Sequence, residues 1–389
     1  MKKIKKDKWI KTKFQDVVLN INKSIKEPLA IGINKSIGLE NIVPNNLKIQ
    51  SYVDIEKEGT KFSKLFKKGQ FLFGSRRAYL RQMALADFDG VCTANIMVFD
   101  IKDTNKMTHG YLSMIIQSDL FVDYASGTSV GSLFPNAKWS SLANFNFPLP
   151  PLEEQKQIAA LFQSIESALE QVDNQEKNLK TLWKRLIDEF VSDSPSFGNL
   201  LKGKKLKTYN YCDVTEKLMR RIDPLTYDID RIVAGENLES EDFKIRTWQK
   251  VGEGYLGPAF HVLFKAGDIL YGSRRTYLRK VSYADFDGVC ANTTYVIKAN
   301  EELLLQVLLK HIMLSERFTQ YSIGVSKGST NPYINWKDLD NFSFQVPDLE
   351  TQREIANVLD GILKIVEQLK QQKTTLKNLK QKLLNEILG

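Results

Sequence analysis

Cysteine and histidine are scarce, with three of each in 389 residues. Cys92, Cys212 and Cys290 are too few for a disulfide framework, and with the scattered histidines they offer no zinc-ligand spacing, so no metal site is expected. No apolar run approaches the eighteen or so residues that a membrane-spanning helix needs, and no membrane partner is expected. The basic start, MKKIKKDKWIKTK, lacks the apolar core and small-residue cleavage site of a secretory signal, which makes the cytoplasm the default location. Walker loops, nucleophile elbows and metal-binding helices are missing too.

Two weaker motifs also fail. GEGYLG at 252–257 fits a dinucleotide-loop pattern, but Pro258 follows where a helix should begin, and the other half of the chain has no counterpart. NPY at 331–333 matches part of a tetrapeptide that amino-methyltransferases use to hold a flipped base, yet it lacks the second proline and becomes PNA at 135–137. A turn is the better reading, and the chain is expected to be non-catalytic.

What is present is ordinary folded-protein material, 42% apolar and 26% charged, in a length that allows two or three domains. The net charge of +9 favours an anionic partner, nucleic acid ahead of an acidic protein, although solubility alone would account for it as well.

The chain is a tandem repeat. FLFGSRRAYLRQMALADFDGVC at 71–92 returns as ILYGSRRTYLRKVSYADFDGVC at 269–290, and the match runs nearly end to end with one-residue shifts that loop insertions explain. The first part of each copy has short apolar and β-branched runs punctuated by Gly, Pro and Asn, and reads as a mixed α/β (α+β) globular domain. After PLPPLEEQKQIA in one copy and VPDLETQREIA in the other, Gly and Pro almost vanish, and one long helix is predicted in each.

Positions alternately three and four apart pick out Ile158, Leu161, Ile165, Ala168, Val172, Gln175, Leu179, Leu182 and Leu186 in the first helix. The same register gives Ile355, Val358, Ile362, Ile365, Leu369, Gln372, Leu376, Leu379 and Leu383 in the second. These rows are predicted to pair as a coiled coil, a stripe of this length being too long to pack only on its own domain. In an antiparallel, pseudo-twofold pair Gln175 and Gln372 would meet near the axis and set the register; a parallel pair would align them as well.

Ser75, Arg76, Arg77, Tyr79 and Arg81, matched by Ser273, Arg274, Arg275, Tyr277 and Arg279, follow a short apolar run and a glycine, which places cationic forks at the end of a buried strand. Arginine holds a phosphate or a guanine edge bidentately, so the pattern suits DNA. Alternatively, the arginines neutralise Asp87 and Asp89 of ADFDG, and the motif serves folding. Base reading should differ between the copies. Two stretches do: 43–66 against 239–263, and GTSVGSLFPNAKW (127–139) against GVSKGSTNPYINW (324–336). The second pair keeps Gly127, Gly131 and Trp139 as Gly324, Gly328 and Trp336, and offers Ser129, Lys138, Lys327, Asn331 and Lys337 as candidate DNA contacts. A lid or a core-packing hairpin would fit it equally.

This layout resembles the specificity subunit of Type I restriction-modification enzymes, with Type IIB specificity subunits as close relatives. The resemblance covers essentially the whole chain. Its carriers are IGLENI at 37–42, KKGQFLFGSRR and KAGDILYGSRR, the two DFDGVC segments, the glycine-and-tryptophan segments and the proline-to-helix junctions, the second of which lacks the double proline. The resemblance implies target-recognition domains at 1–150 and 193–347 and conserved helical regions at 151–192 and 348–389, the helices forming an antiparallel coiled coil that spaces the domains. It also implies double-stranded DNA as partner, each domain reading half of a bipartite site. Two methyltransferase subunits would carry S-adenosylmethionine and methylate adenine, and motor-nuclease subunits would cleave unmodified DNA, with no cofactor on this chain. The competing expectation is a coiled-coil scaffold that organises protein partners without DNA.

Overall fold

Strands form where the short apolar runs lie, and the central ones are buried on both faces because alternate residues feed two different cores. In the computed structural model, which describes residues 6–253 and 257–388, strand Phe71–Gly74 sends Phe71 and Phe73 into one core with Phe99 and Tyr111. Leu72 enters another, with Ile37 and Val98. In the second copy Ile269 and Tyr271 join one core and Leu270 the other. GEGYLG lies partly outside the described residues.

Each copy builds the same three sheets. In the first, an antiparallel sheet orders Val18–Ile21, Ile96–Ile101, Phe71–Gly74 and Met83–Leu85, with Phe71 opposite Phe99. A mixed sheet orders Val53–Asp54, Lys35–Ile37, Gly90–Cys92 and Lys64–Phe66, the middle pair parallel. Ile10–Lys13 pairs with Asn146–Leu149 at the domain's base. The second copy repeats these orders strand for strand.

DFDGVC is thereby explained as a folding motif. A Cβ on Gly90 would stand 2.5 Å from the Phe66 ring and 2.9 Å from the Lys35 carbonyl, and Gly288 is equally crowded by Phe264 and Arg231. Asp89 and Asp287 each accept a backbone N–H, from Lys68 and Ala266. Among the described residues, no ion pair joins Asp87 or Asp89 to the arginines, so the neutralisation reading is corrected: Asp89, like Asp287, holds a backbone N–H instead.

The long helices run over Leu152–Phe190 and Leu349–Leu388. The second is capped by Asp348, whose carboxylate accepts the Thr351 N–H, which accounts for the aspartate where the first copy has a second proline. A buried glutamine ties each helix start to its domain. Gln155 accepts the Thr108 N–H and donates to the carbonyls of Lys106 and Pro150, and Gln352 does the same with Leu305, Leu303 and Pro347.

Two units divide the chain, Met1–Asp173 with Gln371–Gly389, and Asn174–Lys370. Each therefore contains one globular domain, the first part of one long helix and the last part of the other. In the first unit the helices run antiparallel: moving from Glu166 to Asp173 on one goes with moving back from Lys380 to Lys373 on the other, the two ion pairs that join them. Phe162 and Ile165 share a core with Leu383, Leu384 and Ile387. In the second unit Trp183, Ile187 and Phe190 share one with Ile355, Ala356 and Leu359.

The predicted seam needs a correction at every second step. Ile165, Val172, Ile355 and Leu369 are buried, and Ile158, Leu179, Ile362 and Leu376 half-buried. Leu161, Leu182, Val358, Ile365 and Leu379, however, are 41–49% exposed, and Gln175 and Gln372 are exposed too. The inward row steps four and then three from Ile158: Phe162, Ile165, Leu169, Val172, Glu176, Leu179, Trp183. In the second helix it takes Leu359, Val366, Lys373 and Lys380. Leu161–Phe162 and Leu182–Trp183 offer both frames, and the rings, with more surface to remove from water, decide.

Candidate nucleic-acid interface

Two segments that lie far apart in sequence converge at one place in each domain. After strand Phe71–Gly74, Ser75 is buried, its hydroxyl donating to the Asn95 carbonyl at 2.9 Å. Arg77 (φ +55°) and Arg81 (φ +55°) then adopt the left-handed conformation on either side of a short 3-10 turn, Ala78–Leu80, and Arg275 (φ +52°) and Arg279 (φ +50°) repeat it. Such a conformation costs about 1 kcal/mol per non-glycine residue and persists only where the surroundings enforce it.

The enforcing element is the hairpin 127–139. The Arg77 N–H donates to the Pro135 carbonyl at 2.7 Å, the Ala137 N–H donates to the Ser75 carbonyl, and Val130 and Asn136 exchange a pair of hydrogen bonds at 3.0 Å. In the second domain Arg275 donates to Pro332 at 2.7 Å, Ile334 donates to Ser273, and Lys327 pairs with Tyr333. Gly131 (φ +107°) and Gly328 (φ +87°) make the hairpin bend. Trp139 packs on Phe14 and Phe99, and Trp336 on Tyr211 and Tyr295, anchoring the far end.

The side chains divide by role. Arg81 pairs with Asp119 and donates to the Gln117 carbonyl, while Arg279 pairs with Glu316 and Glu241. Ser75, Ser273, Arg81 and Arg279 are thus engaged inside the domains, a correction to their expected DNA role that follows from burial and carboxylate partners. Ser129 is half-buried and donates to the Ala125 carbonyl, and Lys327 pairs with Asp338 at 3.1 Å. Arg274, Arg275, Tyr79, Tyr277, Asn331, Lys138 and Lys337 are exposed, and Arg76 and Arg77 half-buried.

The first domain's two arginines lie over the Phe134 ring, at 4.1 and 5.0 Å from its centroid. With Leu39, Leu80 and Gln82 they line an open concavity, and Arg77 Nε is buried there without a hydrogen-bond partner. In the second domain Asn331 stands in place of Phe134, and its Oδ1 accepts Arg275 Nε–H at 3.2 Å. The hairpin–arginine docking and the tip residues Leu133 and Phe134 escaped the sequence reading, which had named only Asn331 at the tips. The change of tip residue between copies was their only signal.

A sequence model described as the Type I restriction modification DNA specificity domain matches residues 4–180 and again 197–378. The chain belongs to this family. The MjaVIII specificity subunit of Methanocaldococcus jannaschii is 23% identical over 314 residues, 70% of either chain. The EcoDI specificity subunit of Escherichia coli is 30% identical over 160 residues, 41% of this chain and 34% of that one. A chain solved in work on complex assembly and conformational transition of the type I restriction-modification system superposes with a TM-score of 0.60 at 18% identity, covering 100% of this chain and 98% of the other. The S subunit from M. genitalium gives 0.59 at 12% identity, with 98% and 96% covered. These two share the fold. Among the described residues, no helix is long and apolar enough to cross a membrane.

Proposed function

We propose that this specificity-family chain reads duplex DNA with both domains, each taking one half of a bipartite site through its arginine turn and docked hairpin. It leaves the chemistry to partners. Two methyltransferase subunits carrying S-adenosylmethionine would methylate adenine in that site, and motor-nuclease subunits would cleave unmodified DNA, all in the cytoplasm. The observation that carries this reading is the duplicated convergence: strained arginines held by a hairpin whose frame is constant and whose tip differs. Phosphate contacts fix position and need not vary, whereas base contacts must. Arg76 and Arg77, and Arg274 and Arg275, have no carboxylate partner among the described ion pairs, so their charge is available to phosphate. Lys138 and Lys337, each next in sequence to the tryptophan that ends its hairpin, are exposed as well.

The test is a salt titration of duplex binding by the chain assembled with its methyltransferase partners. Arg76→Ala and Arg274→Ala are each expected to weaken binding by roughly tenfold and to lower the slope of log affinity against log salt by about 1. Folded variants that bind like the parent at every salt concentration would make the arginine turns purely structural.

A further inference from the structure

The two hairpin tips differ in kind. We propose that they read their half-sites by different chemistry: Leu133 and Phe134 contact a thymine methyl in one, and Asn331 hydrogen-bonds a base edge in the other. This rests on the DNA-reading function proposed above.

Leu133 is 81% exposed and Phe134 51%. Single exposed apolar side chains are commonplace, but here two neighbours stand at the tip of a hydrogen-bonded hairpin beside two arginines with no carboxylate partner among the described ion pairs. The guanidiniums stack on Phe134, so an apolar surface and two positive charges are presented together. A duplex groove matches that pairing. Phosphates supply the negative charge, and the thymine C5-methyl is the apolar group on the major-groove edges.

The second tip offers much less apolar surface, because Thr330 and Asn331 replace the pair and Thr330 brings a single methyl. Asn331 Oδ1 already accepts from Arg275, while its amide NH2 makes no hydrogen bond among those described. It would donate to a base acceptor, such as guanine O6 or N7 or thymine O4, for which a methyl group is irrelevant. The frames beneath are alike, Arg77 donating to Pro135 and Arg275 to Pro332 at the same 2.7 Å, so the tips are exchangeable without disturbing the fold.

The experiment uses the chain assembled with its methyltransferase partners. Preferences are first selected from a randomised duplex library, then measured on duplexes in which each thymine is replaced in turn by uracil, which lacks the methyl. For the parent, one replacement in one half-site should weaken binding roughly tenfold. Leu133→Ser with Phe134→Asn should abolish that sensitivity and leave the other half-site's preference intact. Thr330→Leu with Asn331→Phe should create a new methyl sensitivity in the other half-site. A parent that selects a split sequence, yet has no methyl sensitivity or keeps it through the first exchange, overturns the inference and leaves the function standing. A parent that selects no sequence at all overturns both.

Discussion

The two units share a backbone plan and differ in how they fill it. Where the second domain packs on the helices, Trp183 Nε1 donates to His311 Nδ1 at 3.2 Å, His311 Nε2 meets Asp360 at 2.9 Å, and Lys310 joins the same carboxylate at 2.7 Å. The matching places in the first unit hold Lys380, Met114, Gln163 and Ser113. There Lys380 pairs with Glu166, donates to Gln117 and reaches over the Phe162 ring. One architecture thus accepts an aromatic–histidine–carboxylate chain or a buried methionine together with a lysine that reaches over a phenylalanine ring. A duplicated fold survives core divergence when each replacement brings its own hydrogen-bond partners, since an orphaned buried group would cost about 1–3 kcal/mol.

The largest effect expected from breaking this comparison is at the tryptophan. Trp183 is 3% exposed, with edge contacts to Phe243 and His311. Trp183→Ala should lower stability by about 4 kcal/mol in denaturant titrations, through the cavity and the orphaned histidine. Lys380→Ala, at the matching place, removes a partly exposed ion pair and should cost about 1 kcal/mol. Equal losses would mean that the two packings are energetically the same.

Next in size is a pH effect confined to the second unit. Because His311 Nδ1 accepts from the indole, the ring is neutral with its proton on Nε2. Burial pushes its pKa down to about 4, against a smaller upward pull from Asp360. Asp360 itself lies below the usual carboxylate range: burial raises it, but hydrogen bonds from His311 and Lys310 outweigh that. With the folded pKa below the unfolded one, the unfolded chain takes up the proton first as pH falls. Stability should therefore be full above about pH 6.5 and decline by about 3 kcal/mol toward pH 4. His311→Met, borrowing the first unit's residue, should remove that decline and leave a constant offset from the unpaired indole. Parallel urea midpoints for parent and variant from pH 7 to 4 would place the acid sensitivity elsewhere.

Much of this was legible in the sequence. The repeat, the domain texture and the helices follow from periodicity and from where Gly and Pro stop, signals that each segment carries by itself. Apart from the pairing of the two helices, contacts between segments were not legible. Nothing local in SRRAYLR says that Arg77 N–H will meet Pro135, or that Arg81 will be drawn away to Asp119, because those partners are set by how the hairpin returns across the strand ends. Gln155 and Gln352 stood out as part of a junction, yet their work is to satisfy buried backbone groups, visible only once the loops around 106 and 303 pack against the helix starts.

The helix seam shows how narrow such a miss can be. On the predicted frame, Gln175→Leu with Gln372→Leu should raise stability and loosen the register. Both glutamines are exposed, and the inward row instead places Glu176 and Lys373 at the polar step, paired with Lys180 and Asp173. The double leucine variant at 175 and 372 should then shift stability by no more than about 0.5 kcal/mol in either direction. Moved one residue along, to Glu176 and Lys373, the same two leucines enter the half-buried row and should stabilise by more than the first pair, while relaxing the constraint on register that a polar seam residue imposes. Denaturation midpoints for the two double variants, measured side by side, decide between the frames: a larger gain from the glutamine pair would restore the original one.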